Sequence, residues 1–279
     1  MRRTRLGQGR VLSQRLIFVV IALAFVGSGY LIGRYFLASL LQKPAGGEPV
    51  SGAKTPPAQG TPATVQVQTK PVTFYRVQVG AFSSKENADK AVEAAAQKGV
   101  GASVMAPDPL YKVFCGMTGS REAADKLSQN ALPKLAGSVV AKDGSLYVAS
   151  VTLASRSFSV TGDKTLVQKL QDTFAKCDNA IQSLLAFWDS QYLGTQNQVN
   201  LTAMETDMTT LRDELQKMAP AETMKTAHAA ALKIVSDLAL AAKGAKEAAG
   251  GDSGKVLSAT SAFMKTIDTY SQELKKLSP

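Results

Sequence analysis

Histidine occurs once in these 279 residues, tryptophan once and cysteine twice. Each scarcity removes a class of chemistry. A zinc hydrolase normally draws on more than one histidine, and His228 stands in an alanine-rich stretch between Ala227 and Ala229. A Ser-His-acid hydrolase would have to use that same histidine, and no GxSxG elbow accompanies it. Cys115 and Cys177 form no CxxC pair and read as two small buried hydrophobes, not as metal ligands. No GxxxxGK[ST] loop is present to cradle phosphates. A glycosidase needs only two carboxylates, so counting residues does not exclude one. The acids here, however, fall mostly on predicted helix surfaces, where they solubilise. The chain therefore reads as a non-enzyme, with no catalytic residue, metal site or cofactor.

The formal net charge is +10. Arg2, Arg3, Arg5, Arg10, Arg15, Arg34 and Lys43 supply seven of those charges before Glu48, the first acid, which leaves +3 for the rest. So placed, the charge is a topology signal and not a nucleic-acid patch. Residues 16–33 carry no charge. At about 1.5 Å per residue they span roughly 27 Å, near the thickness of bilayer hydrocarbon. The expected layout begins with a cytoplasmic basic tail (1–15) and a transmembrane anchor (16–41). The bulk of the chain then lies outside a cell membrane crossed once. A cleaved signal peptide is the alternative; its apolar region is usually shorter, and Ala38-Ser39-Leu40 is a poor cleavage site. Residues 42–73 hold six of the eleven prolines and read as a linker.

After it comes Tyr75-Arg76-Val77-Gln78-Val79-Gly80-Ala81-Phe82. Tyr75, Val77 and Val79 fall on one face and Arg76 and Gln78 on the other, the pattern of a half-buried strand. Ser83 and Glu86 have the spacing of a capping box that opens a helix over 84–98. Gly99 ends that helix. A weaker copy follows in Tyr111-Lys112-Val113-Phe114-Cys115-Gly116-Met117, then Ser120-Arg121-Glu122-Ala123-Ala124. Residues 102–105 and 138–141 are expected as the remaining strands. Two strand–glycine–helix units predict a βαβ-βαβ domain with a four-stranded sheet and two helices on one face. Val77, Val79, Val113 and Cys115 then point to the helices, and Arg76, Gln78, Lys112 and Phe114 share the open face.

The segment Tyr75–Ala88, with Tyr111-Lys112-Val113, Gly116 and Ser120–Ala123 after it, resembles the SPOR (sporulation-related repeat) domain family. The resemblance covers roughly residues 74–143. It departs from the family at Phe114, Cys115 and Met117. It implies a peptidoglycan-binding module that prefers glycan strands stripped of stem peptides. On that implication, the glycan-binding candidates are Arg76, Gln78, Lys112 and Phe114, with Ser84 and Asn87 at the helix start. A sugar polymer offers hydroxyls, N-acetyl groups and weakly apolar ring faces. An amide, two cations and an aromatic side chain suit it. An open sheet with an aromatic also suits RNA. The aromatic signature of such modules is missing, so nucleic acid is not expected as a partner.

Residues 146–162 alternate loosely and read as a connector or, over 146–160, as an extra strand. From 163 the pattern is helical. Leu166, Leu170, Phe174, Cys177, Ile181, Leu184 and Trp188 recur at three- and four-residue steps. So do Met204, Met208, Leu211, Leu215 and Met218, and then Val256, Thr260, Phe263, Ile267, Tyr270, Leu274 and Leu277. With an alanine-rich stretch between, these predict four helices in an all-α bundle over 163–279. Short heptad runs weigh against a coiled-coil dimer. The bundle carries its own apolar rows and is expected to fold without the module (74–145). The whole therefore reads as an α+β protein, a membrane-anchored glycan binder of cell division or sporulation. The alternative is an envelope scaffold whose bundle recruits a protein partner without glycan binding.

Overall fold

The computed structural model describes residues 62–105, 109–137 and 145–278. The predicted tail, the membrane anchor, most of the linker and the strand expected at 138–141 lie outside the described residues. Among the described residues, no helix is long and apolar enough to cross a membrane.

Strand β2 (Val72–Phe82) is the centre of the first layer. It pairs antiparallel with β4 (Tyr111–Thr118) on one side and with β5 (Tyr147–Leu153) on the other. The short β3 (Ser103–Met105) adds to the far side of β4, giving the order β3-β4-β2-β5. Two helices, α1 (Lys85–Gln97) and α2 (Arg121–Leu135), cover one face. Ala88, Ala91 and Ala95 lay α1 close on the sheet, and a serine caps each helix start. The cap of α1 is Ser84, whose Oγ accepts the Asn87 amide at 3.3 Å, and not Ser83 as the capping-box spacing suggested. Ser120 caps α2 in the same way, 3.2 Å from the Ala123 amide. Val77, Val79, Val113 and Cys115 form the core beneath these helices. That part of the sequence reading agrees with the structure.

Two features differ from it. The fourth strand of the sheet is β5, inside the segment read as a connector. In addition, β1 (Ala63–Gln68) lies inside the segment read as linker and pairs antiparallel with β6 (Ser157–Gly162) in a separate two-stranded sheet. Thr64, Val65, Gln66 and Val67 alternate, but a composition rich in small and polar residues masked the strand.

Four helices follow: α3 (Lys164–Leu193), α4 (Leu201–Lys217), α5 (Lys225–Ala248) and α6 (Ser253–Leu277). Asp163, Asn200 and Asp252 cap α3, α4 and α6 through side-chain oxygens. Gly194, in the left-handed region at φ 68°, stops α3. The predicted apolar rows are the buried ones: Leu170, Phe174, Ile181, Leu184 and Trp188 of α3 meet Met208, Leu211 and Leu215 of α4 and Phe263, Ile267 and Tyr270 of α6 in one core. His228 is part of this packing; its Nε2 donates to the Leu215 carbonyl at 2.8 Å.

That core does not stop at the helices. Val67, Val72, Phe74, Phe114, Met117, Phe158 and Val160, all from strands, belong to it. Ala58–Pro279 is accordingly one unit. Each large apolar side chain buried in it contributes roughly 1.5–3 kcal/mol, so the strands and helices share their main source of stability. A core shared in this way argues against the expectation of an independently folding bundle.

Candidate binding site on the four-stranded sheet

Alternation along β2 sends Val72, Phe74, Arg76 and Gln78 to the face away from α1 and α2. Cross-strand pairing adds Leu153, Val151, Ala149 and Tyr147 from β5, opposite those four residues in that order. From β4 come Met117 opposite Arg76 and Phe114 opposite Gln78. Four of the expected candidates, Arg76, Gln78, Lys112 and Phe114, are therefore brought to one face. Ser84 and Asn87 are not: they stand beyond the end of β2, and no hydrogen bond joins them to the sheet residues. The Ser84 hydroxyl is used as the α1 cap, and Asn87 is exposed.

The face is not open along its whole length. Phe74 is completely buried, Met117 is 1% exposed and Phe114 is 5% exposed. Helix α6 crosses this half of the sheet. The Ser261 hydroxyl donates to the Ala102 carbonyl just ahead of β3, at 3.0 Å. Asp268, two turns on, meets Arg76 with Nη2 to Oδ1 at 2.6 Å. Gly101 permits the approach: a Cβ there would stand 3.1 Å from the Leu257 carbonyl oxygen. Arg76 lies over the Phe74 ring at 5.0 Å and the Phe114 ring at 5.5 Å, and also touches the Met105 sulfur. Burial pushes the Arg76 pKa down and that of Asp268 up, each partly offset by the other's charge. Arg76 and Phe114 are therefore a cation and an aromatic ring locked into a packed interface. The expectation that both stand in solvent fails because their neighbours on this face are apolar and need a cover.

The other half of the face is uncovered. Gln78 and Lys112 are only partly buried, and Tyr147 is 66% exposed. Gln78 occupies an unusual backbone position. The ladder with β4 shifts register on both sides of its pair with Phe114, leaving Cys115 and Val79 as extra residues. Such bulges bend a strand and re-aim its side chains. The Gln78 amide makes no hydrogen bond with any described residue and so keeps its donors and acceptor for a ligand. Tyr147 sits directly opposite it on β5. This tyrosine escaped sequence reasoning. Its signal was present in the alternation Tyr147, Ala149, Val151, Leu153, which marks a strand with one apolar face. The result is a corner of sheet with an amide unpaired among the described residues opposite an exposed tyrosine, and with Lys112 on the same face of the neighbouring strand. Chemically this can hold a polar, ring-containing ligand by hydrogen bonds and ring stacking.

Neither cysteine belongs to the site; both are buried. Burial pushes the Cys115 thiol up to about 12, where it is inert as a nucleophile.

Comparison with known proteins bears on this segment. Residues 61–152 match the family model described as SPOR domain. A solved structure, the peptidoglycan-binding domain of the B. subtilis cell wall lytic enzyme CwlC, is 31% identical over 31% of this chain and 96% of that chain, at a TM-score of 0.23. Curated protein sequences give no match.

Proposed function

From the chain's membership of the SPOR domain family, carried by residues 61–152, we propose that the protein binds peptidoglycan glycan strands at the uncovered corner of its sheet. In this reading Gln78 hydrogen-bonds N-acetyl or hydroxyl groups, Tyr147 stacks on a sugar ring, and Lys112 reaches ring substituents. The observation that carries it is the pair Gln78–Tyr147. These residues face each other across two strands, one with a free amide and the other with most of its ring in water. Amide and aromatic ring together match the amphipathic surface of an amino sugar. The same proposal keeps the membrane span at 16–41, the external placement of the module and a role where the wall is remodelled in division or sporulation. The arginine asymmetry around residues 16–33 supports the topology.

Sedimentation of the full chain with purified sacculi, intact and amidase-treated, tests it. Retention, stronger on stripped glycan, is expected; absence of retention on both would leave the envelope-scaffold reading. One observation favours that second reading: Arg76 and Phe114 are covered by α6 and withdrawn from any ligand.

A further inference from the structure

Strand β5 is an edge strand, and among the described residues no strand pairs with its outer side. Helix α2 and the start of β5 enclose a cleft of about 660 Å³ there. Arg121, Asp125, Ser128 and Gln129 line it from the helix, and Tyr147 and Val148 from the strand. The four helical residues are spaced by four, three and one positions, so they share one stripe of α2. Ala124, Leu127 and Ala131, on another stripe, pack α2 into the core beneath the sheet. The Arg121 Nε donates to Asp125 Oδ1 at 2.9 Å. This bond sets a planar cation and a planar acid side by side, and their charges cancel. It uses one Asp125 oxygen and leaves the Arg121 Nη groups as further donors. Ser128 and Gln129 make no hydrogen bond with any described residue. No residue of β2 lines the cleft. Tyr147 therefore has Gln78 on one side, across the β2–β5 ladder, and the cleft on the other.

We propose that the α2–β5 cleft is a second sugar subsite, joined to the corner at Tyr147, and that it holds a neutral, hydroxyl-bearing unit of a glycan strand passing over β5. The proposal rests on the reading of the corner as the glycan site. It adds a second set of contacts and a minimum length of strand. Neighbouring hydroxyls of a sugar ring offer donors and acceptors at a fixed spacing. Planar carboxylate, guanidinium and amide groups can each engage two of them at once. Asp125, Arg121 and Gln129 supply all three kinds, and the Tyr147 ring supplies an apolar face for the sugar. Because Arg121 and Asp125 neutralise each other, the cleft selects by hydrogen bonding and not by charge. Neighbouring strands stand about 4.8 Å apart, close to the rise of one unit along an extended sugar chain, so a glycan leaving Gln78 and crossing Tyr147 enters the cleft within about two units.

The test is sedimentation of the full-length protein with amidase-treated sacculi, in the presence of soluble competitors cut from the same stripped glycan. The hexasaccharide should displace the wild type at about ten-fold lower concentration than the disaccharide, because only the longer chain fills corner and cleft together. Gln129→Ala and Asp125→Ala are each expected to weaken retention about three- to ten-fold and to shrink the advantage of the hexasaccharide. Gln97→Ala, at an exposed glutamine of α1, is the control and should be retained like the wild type. Asp125→Ala also separates hydrogen bonding from charge. It makes the protein more basic, so attraction to an acidic strand alone would tighten retention, whereas loss of a hydroxyl's partner weakens it. Gln129 is exposed and Asp125 partly so, and both variants should melt with the wild type. If Asp125→Ala melts lower for want of its ion pair, Gln129→Ala decides. Unchanged retention of a folded Gln129→Ala protein, with Gln78→Ala weakened, would overturn the cleft and leave the corner standing. Equal displacement by the two competitors would do the same. Failure of the wild type to sediment would remove the corner, and the cleft with it.

Discussion

The Arg76 guanidinium and the Asp268 carboxylate meet at 2.6 Å across 192 positions of chain, tying the central strand of the sheet to the last helix. The pair is mostly shielded, with side-chain exposures of 8% and 23%. Around it Phe74, Phe114 and Met117 pass from the sheet into the core of the helical bundle. The face of the module that would otherwise lie open becomes half interior and half surface, and every functional assignment on it follows from that division.

Removing Asp268 should therefore strand a buried cation. Asp268→Ala is expected to lower stability by about 3 kcal/mol. Arg76→Met alone also leaves an unpaired, partly buried acid. The Arg76→Met/Asp268→Leu protein should lose less than the sum of the two single changes, because neither charge is then left without a partner. Chemical denaturation of the four proteins gives the coupling. Strict additivity would show that the ion pair is incidental to the interface.

Phe114 and Tyr147 should behave oppositely. Phe114 is 5% exposed in the shared core, so Phe114→Ala should cost about 3–5 kcal/mol of stability through the cavity it leaves. Tyr147 is 66% exposed; Tyr147→Ala should leave the melting temperature nearly unchanged and weaken retention on sacculi. Thermal melts beside sedimentation separate the two. A stable Phe114→Ala protein would contradict the covered face.

The bundle should not stand alone. A fragment beginning at Ser159 lacks Val67, Val72, Phe74, Phe114, Met117 and Phe158, all buried against its helices. It is expected to keep helical circular dichroism but to melt without cooperativity, whereas a fragment beginning at residue 62 should melt in one transition. A sharp transition in the shorter fragment would show that the strands add little.

A buried carboxyl sets an acid dependence. Asp178 accepts the Lys70 amide at 2.7 Å and the Tyr270 hydroxyl. Burial pushes its pKa above the ordinary 3.8, outweighing those hydrogen bonds and the Lys70 charge. The folded chain thus holds a proton at pH values where the unfolded chain has released it. Stability from this group is present below the unfolded value and is lost as pH rises through the folded one. Melting temperatures from pH 3.5 to 7 should show the wild type losing ground, with rising pH, to Asp178→Asn, which cannot ionise. A gap between the two that stays constant with pH would mean that the carboxyl titrates normally.

Much of this architecture was legible in the chain. Tyr75, Val77 and Val79 alternate as a strand because one face packs on helices, and the rows from Leu170 to Trp188 and from Thr260 to Leu274 repeat at the helical period because one stripe is buried. Arg76 misled: a charged residue at an alternating position ordinarily faces water, and the acid that neutralises it is remote in sequence. A warning did exist in Val72 and Phe74, which make the second face of β2 apolar as well, a mark of a strand buried on both sides. The pair β1–β6 left a fainter trace, since each strand is short and polar on its outer side. Of the site, Gln78 and Lys112 were visible from register, whereas Tyr147 and the cover that α6 lays over Arg76 depend on which elements meet in space.

The most direct test of the account is the retention of Gln78→Ala on amidase-treated sacculi, measured beside its thermal melt. The side chain is partly exposed and makes no hydrogen bond with any described residue, so the melt should be that of the wild type. Its loss should remove bonds made only to the ligand, weakening binding by roughly 1–3 kcal/mol, or about five- to a hundred-fold. Wild-type retention by a well-folded Gln78→Ala protein would contradict the assignment of this corner as the glycan site.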